Sequence, residues 1–271
     1  EPLIDSFGAD SLRYWAARAH LGVDTVYDEQ IFNVGKRLCT KLFNASKFAI
    51  GRFSDIDPAL LGPDKVTAET DRAVIAELRP LIERATNAFN EFEYAQALMQ
   101  TEDFFWRTFC DNYLELAKQR TYEEELTEGR LSAASTLFLV HRALIRLLAP
   151  FLPFLTEDIW HWHYAGQSGM NESVHKSPWP KLDEFASISA PKNALTYTAA
   201  VAVIDAVRKA KAEANLSVKA PVAKVSVTAK PDVLEAVKSA ADDIRLMLTI
   251  TEIEFAEGEV ANNLVSVETQ L

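Results

Sequence analysis

The residues best placed to do chemistry together are Arg37, Lys41, Asn44 and Phe48, which follow one another at steps of four, three and four. At about 100° of rotation per residue on a helix, they fall in one stripe about 60° wide. That set matches the needs of an unpaired base in an RNA loop. A ring face takes the stacked base, an amide both donates and accepts at the base edge, and cationic groups hold the neighbouring phosphates. Lys36 and Lys47 lie on the same stretch. From Gln30 to Ser54 there are five basic residues and no Asp or Glu, a local charge of +5. Pattern alone favours a plainer reading, a solvated charged face with Phe48 at the margin of the core, because such faces are common on helices.

A second basic cluster, Arg208, Lys209 and Lys211 followed by Lys219 and Lys224, sets five positive against two negative charges between Val203 and Lys224. It is a candidate phosphate contact and equally an ordinary surface. Other chemistry finds little support. The chain has no glycine-rich phosphate loop, no G-x-S-x-G turn and no Cys-x-x-Cys pair. His161 and His163 flank Trp162 but point apart on a helix, where metal ligands want a spacing of three or four. His141 falls on the apolar face with Leu131, Ala134, Phe138 and Ile145, and reads as a core histidine with its hydrogen bonds met. Glu123 to Glu125 reads as a solvated acidic turn. Neither a catalytic centre nor a metal site is expected.

These candidates need elements to hold them. With 271 residues, 48% of them hydrophobic and 25% charged, the chain has the material for two cores. Its net charge of -11 argues against indiscriminate binding to phosphate backbones, so any nucleic-acid contact is local. The two cysteines, Cys39 and Cys110, form no disulfide framework, which fits a reducing, cytoplasmic compartment. The greasy stretch Leu137 to Leu155 is interrupted by charges and prolines, so no membrane span is read there.

Periodicity predicts a short helix over Pro2 to His20 and an amphipathic one over Gln30 to Arg52, with Ile31, Val34, Leu38, Leu42, Ala45 and Ala49 on its buried face. A loop follows to Lys65, then a helix from Thr67 through Asn87. After a turn near Asn90 to Glu93 comes another helix to Gln100, and Thr101 is expected to cap a further helix over Glu102 to Lys118. Leu131 to Ala149 and a stretch from Thr156 complete an antiparallel helical bundle. Prolines between Ser177 and Pro191 mark a boundary. Beyond it, helix over Ala194 to Asn215, strand over Val222 to Thr228, helix over Asp232 to Leu248 and strands at Thr251 to Phe255 and Leu264 to Val267 make a small α+β unit. The expected fold is mainly α, divided into a connector (1–30), a helical bundle (31–185) and the α+β unit (191–271).

Five runs resemble class I aminoacyl-tRNA synthetases, the second and third of them in the form typical of the valine-specific members. Ile4 to Trp15 (IDSFGADSLRYW) is similar to the "yGADalRfw" segment that follows the KMSKS loop. Lys41 to Phe48 (KLFNASKF) resembles the "KLwNAsrF" helix, and Phe104 to Lys118 (FFWRTFCDNYLELAK) the "FfW..fCdwYlElaK" helix. Leu147 to Trp160 (LLAPFLPFLTEDIW) resembles "LlaPflPFiTEeiW", and Val174 to Pro180 the "sih.apWP" tail. Ala206 to Lys211 continues the likeness more weakly. The first and fourth runs also occur in isoleucine and leucine enzymes, so an isoleucine-type counterpart stays open, as does a helical scaffold for proteins.

The resemblance implies a C-terminal piece that begins just beyond a catalytic domain and is itself catalytically silent. It implies that Gly8 to Arg18 sits near the inside of the tRNA L and that the bundle reads the anticodon loop. Arg37, Lys41, Asn44, Lys47 and Phe48 then serve as contacts, with Lys36, Arg208, Lys209 and Lys211 as further cations. The implied partner is a valine-specific tRNA, with no DNA, no membrane and a monomeric state. ATP and magnesium belong to the whole enzyme and no cofactor to this piece.

Overall fold

The computed structural model describes residues 2–260 and 263–271. Glu1, at the start of the expected connector, and Ala261 and Asn262, within the expected α+β unit, lie outside the described residues. The chain divides into two compact units. One takes residues up to Lys65 with Glu77–Cys110 and Ala134–Ser187; the other takes Val66–Ala76, Asp111–Ala133 and Ile188–Leu271. This differs from the contiguous division expected from sequence, because two short segments from the middle of the chain find their partners in its C-terminal third.

The first unit is a helical bundle. Its N-terminal helix is broken into α1 (Pro2–Phe7) and α2 (Ala9–Ala17) at Gly8, whose φ of 85° few residues other than glycine adopt. Next comes α3 (Glu29–Phe53), capped by Asp28, whose carboxylate accepts from the Gln30 N–H at 2.8 Å. On α3 the predicted positions Leu38, Leu42, Ala45 and Ala49 are buried, together with Phe32 and Phe53, while Ile31 and Val34 are only half-buried. At Gly35, α2 lies directly against α3. An added Cβ would stand 2.9 Å from Tyr14 Cδ1 and 3.1 Å from Ser11 Cα, so only glycine permits this approach. The Tyr14 ring is fully buried there, and its hydroxyl donates to Glu102 Oε2 at 2.7 Å.

His141 is a core histidine with both ring nitrogens satisfied, Nδ1 by the Tyr164 hydroxyl at 2.7 Å and Nε2 by Ser46 Oγ at 2.8 Å. Burial pushes its pKa down to about 3, so the ring is neutral. His163 packs edge-on against Phe53, and His161 pairs with Glu157 one helical turn away. Among the described residues, no three His, Cys, Asp or Glu side chains gather at metal-binding distance.

The remaining helices ahead of the sheet are α5 (Tyr94–Asp103) and α8 (Pro153–His163) of the first unit, α6 (Leu114–Thr121) of the second, and α4 (Glu69–Asn90) and α7 (Glu128–Leu148), whose first turns belong to the second unit and the rest to the first. Thr101 is not the helix cap expected from sequence. Its side chain is buried and donates to the Ala97 carbonyl at 2.8 Å, and the helix runs on through a π-helical segment, Phe104–Tyr113, into α6. Among the described residues α7 is the one helix long and apolar enough to cross a membrane, and 89% of its apolar window is buried inside the protein.

In the second unit, α9 (Thr196–Glu213), α10 (Pro231–Ser239) and α11 (Ala241–Leu248) pack with a three-stranded sheet of order β2-β1-β3. The strands are β1 (Val222–Ala229), β2 (Ile250–Glu257) and β3 (Ser266–Gln270). The β1–β2 pair is parallel and needs the α10–α11 crossover, while β3 lies antiparallel to β1. The expected single helix over Asp232 to Leu248 is two, separated at Ala240. Val225, Val227 and Ala229 turn one face of β1 into the core with Val203, Val207, Leu234 and Leu116, and Val222 at the strand's start is buried as well.

A buried ionic cluster joins this unit's three segments. Arg120 donates to both Asp71 oxygens at 2.7 and 2.8 Å and to both Asp243 oxygens at 2.9 and 3.0 Å. Tyr113 and Ser132 complete Asp71, and Thr70 completes Asp243. Burial works against the guanidinium charge, but Asp71 and then Asp243 outweigh it and hold the Arg120 pKa above its ordinary value.

Candidate nucleic-acid interface

The basic helix predicted from sequence is α3, and its cations remain outside the core. Arg37, Asn44, Lys36 and Lys47 are exposed, together with Asn33, Thr40 and Phe43. Lys41 and Phe48 stand at the margin of this face, half-buried. The Lys41 ammonium lies over the Trp106 ring, 5.4 Å from its centroid, and the Arg52 guanidinium lies 5.5 Å from the centroid of Phe48. The open face is therefore rotated from the stripe drawn through Arg37, Lys41, Asn44 and Phe48. It runs instead through Asn33, Arg37, Thr40, Asn44 and Lys47, with Lys36 and Phe43 beside it.

Among the described residues, no carboxylate lies within 4 Å of the charged groups of Lys36, Arg37, Lys41 or Lys47; Lys36 donates to the Ser6 carbonyl at 3.1 Å. The segment's lack of acids accounts for this, because a helix side chain finds its ion-pair partner at i±3 or i±4.

Two hollows indent the face. A cavity of about 570 Å³ is lined by Phe7 to Ser11, by Lys36, Cys39, Thr40, Phe43 and Asn44 of α3, and by Phe154 and Leu155 of α8. A second, of about 460 Å³, is lined by Gln30, Asn33, Val34, Lys36, Arg37 and Thr40. Lys36 and Thr40 line both. Burial raises the Cys39 thiol to about 12, so it stays protonated in the cavity wall. Phe43 meets Trp162 edge-on at 5.1 Å, and both rings are substantially exposed.

The second basic cluster has a different fate. Lys211 is 1% exposed, and its ammonium donates to the carbonyls of Val218 and Leu248, both at 3.0 Å. It cannot offer its charge to a surface phosphate, which corrects the sequence expectation. Arg208 donates to the Asp111 carbonyl at 2.6 Å and to Asn112 Oδ1 at 3.2 Å, and pairs with Asp205. Lys209 is exposed beside Glu213. Lys224 pairs with Glu254 at 2.6 Å.

Sequence reasoning passed over Phe43, Thr40, Trp106 and Phe154. Phe43 was legible, since at about 100° per residue it falls about 20° from Lys36 and about 40° from Lys47. Phe154 and Trp106 reach the helix only through the fold.

Comparison with known proteins bears on the same residues. The chain is 39% identical over 269 residues to the valine–tRNA ligase of Thermobifida fusca, covering 98% of this chain and 29% of that protein. It is 39% identical over 261 residues to the valine–tRNA ligase of the Wolbachia of Brugia malayi, covering 96% of this chain and 30% of the relative. It thus spans less than a third of the length of these curated relatives, and the likeness takes in α3. Among solved structures, the LeuRS of Agrobacterium radiobacter K84, in a ternary complex with tRNA and LeuAMS, superimposes with a TM-score of 0.53 at 21% identity. That match covers 70% of this chain and 22% of the other, and it speaks for the fold alone. The family described as the anticodon-binding domain of tRNA ligase matches residues 71–227, more than half of the sequence and most of its helices from α4 onward. By that match the chain belongs to the family described as the anticodon-binding domain of tRNA ligase.

Proposed function

We propose that this chain is the tRNA-reading part of a valine–tRNA ligase and that the open face of α3 meets the anticodon loop. The observation that carries the reading is the set of exposed cations Lys36, Arg37 and Lys47, without carboxylate neighbours among the described residues, on a chain of net charge -11. Local positive charge on an anionic protein directs RNA to one surface. Arg37, Lys36 and Lys47 hold backbone phosphates, Asn44 reads a base edge, and Lys41 and Phe48 close the margin. Arg208 and Lys209 are secondary contacts, weakened by the acceptors they already serve.

In the whole protein, valine is activated with ATP and magnesium outside this chain, which is catalytically silent and binds RNA without a cofactor. The protein works as a cytoplasmic monomer. Titration of the chain with a valine-tRNA transcript at several salt concentrations tests the reading. Affinity falls steeply with salt, and Arg37→Ala combined with Lys47→Ala weakens binding and lowers the salt slope by about one for each phosphate no longer neutralised. A flat salt profile, or the same affinity for an unrelated tRNA, sinks the reading.

A further inference from the structure

We infer that the hollow between α7 and the segment following α8 binds a phosphate-sized oxyanion on Arg142, Arg146 and Lys181. The site is independent of the α3 face, since its three cations belong to the first unit but to other elements. Arg142 and Arg146 stand one turn apart on α7 and so share a side of the helix. Their side chains are 16% and 6% exposed, and a single carboxylate, that of Glu184, serves both.

That carboxylate is fully used. Its Oε2 accepts from Arg146 Nη2 at 2.7 Å and from Arg142 Nη2 at 3.0 Å, while Oε1 accepts from Arg146 Nη1 and from the Lys181 backbone N–H, both at 2.9 Å. A carboxylate offers about four acceptor positions, and these bonds occupy them. Two guanidiniums on one carboxylate leave positive charge where water is largely excluded, so an anion gains more there than at an open surface. Lys181 also lines the hollow and is exposed, and among the described residues its ammonium has no carboxylate partner.

Arg142 is the group left short. Its Nη1 donates to Met170 Sδ at 4.0 Å, a weak acceptor, and its Nε is buried without a hydrogen-bond partner. Burial, and then the like charge of Arg146, pulls its pKa below the ordinary value even with Glu184 beside it. The guanidinium lies over the Phe138 ring, 5.2 Å from its centroid, and Arg146 donates to the carbonyls of Arg142 and Pro178 at 3.2 and 3.3 Å. The donors are thus set before a ligand arrives.

Size narrows the class of ligand. The hollow measures about 230 Å³, below the roughly 300 Å³ at which sites for drug-sized molecules begin, so a whole nucleotide does not fit. A tetrahedral oxyanion does, and its oxygens suit guanidinium forks. Free inorganic phosphate and a backbone phosphate of RNA share that chemistry.

The test titrates the full chain with inorganic phosphate by calorimetry at constant ionic strength, with chloride as the control ion. One phosphate per chain should bind saturably, and chloride should not replace it. Arg142→Gln should weaken binding by about 10- to 100-fold, the worth of one hydrogen bond to a charged group. Because that change also takes a partner from Glu184, Lys181→Glu at an exposed position is the second variant. It should weaken binding by about 5- to 10-fold with thermal unfolding unchanged.

A saturating valine-tRNA transcript then separates the two sources. Displacement of phosphate identifies an RNA backbone phosphate as the occupant, and undisturbed phosphate identifies a free oxyanion. Lack of saturable phosphate binding overturns the inference, as does binding that either variant leaves unchanged. Neither result bears on the α3 face, which Arg37→Ala and the salt slope judge separately.

Discussion

On α3, Arg37, Lys41 and Lys47 have no carboxylate within ion-pair distance among the described residues, whereas on α9 Arg208 pairs with Asp205, Lys209 with Glu213, and Lys211 is sunk into the core. The two helices look alike as strings of basic residues. Their difference shows that the number of cations on a helix says less about nucleic-acid binding than the acids and carbonyls within reach. The acids one turn away on α9 neutralise the field at the surface, and the buried ammonium becomes a structural bond. On α3 the nearest acidic neighbours by sequence are absent, so the field reaches solvent.

The sharpest way to break this contrast is Lys211→Ala. Two carbonyls lose a buried donor, each at roughly 1–3 kcal/mol, so stability measured by urea unfolding should fall by about 2 kcal/mol or more. Affinity for tRNA, measured where the protein remains folded, should not change. A variant of full stability that binds tRNA more weakly would return Lys211 to the interface.

A second test concerns what holds α3 in place. His141 is neutral in the folded chain, with its pKa near 3, and bonds Ser46 on α3. The unfolded chain takes up a proton at this ring below about pH 6.5, so the stability it contributes is complete above that pH and is lost as pH falls towards about 3. Between pH 7 and 5 the decrease should be about 2 kcal/mol, at roughly 1.4 kcal/mol per unit. His141→Gln should flatten that part of the profile, and an unchanged acid slope would remove this ring as its source.

Smaller again is the effect of Arg37→Ala alone. It should weaken tRNA binding about equally across tRNA sequences, if the contact is to phosphate, and lower the salt slope by about one. Stability should stay within about 0.5 kcal/mol, since the side chain is exposed. Lys209→Ala should do least of all, moving neither stability nor affinity measurably, because an exposed i,i+4 pair is worth little. If Lys209→Ala costs as much affinity as Arg37→Ala, the distinction between the two helices disappears.

Much of this was legible in the order of residues alone. Helical periodicity located α3 to within a residue at each end, and the alternation of Val222 to Thr228 located β1. The apolar face around His141 marked it as a core histidine. Charge order along the chain marked α3 as the basic segment, and the acids at Asp205 and Glu213 were there to be read as partners for α9. Phe48 shares a stripe with Arg37 and stands half-buried at the margin of the open face beside the Arg52 guanidinium. A stripe defines an angle on one helix and says nothing of what packs on either side of it.

What the sequence by itself determined is whatever depends on neighbours along the chain: the extent of α3, most of its buried face, its local charge, and the motifs that mark the family. Tertiary structure alone decided matters of long-range contact. It brought Phe154 and Phe43 to the wall of one cavity, with the start of α8 held by the Asp10 carboxylate, drew Lys211 inward to the distant Leu248 carbonyl as well as that of Val218, and set Asp71, Arg120 and Asp243 in one buried cluster. The reason is physical. Periodicity records which way a side chain faces on its own helix, while burial and pairing depend on segments far away in sequence, and their approach is set by packing and by the geometry of single residues such as Gly35.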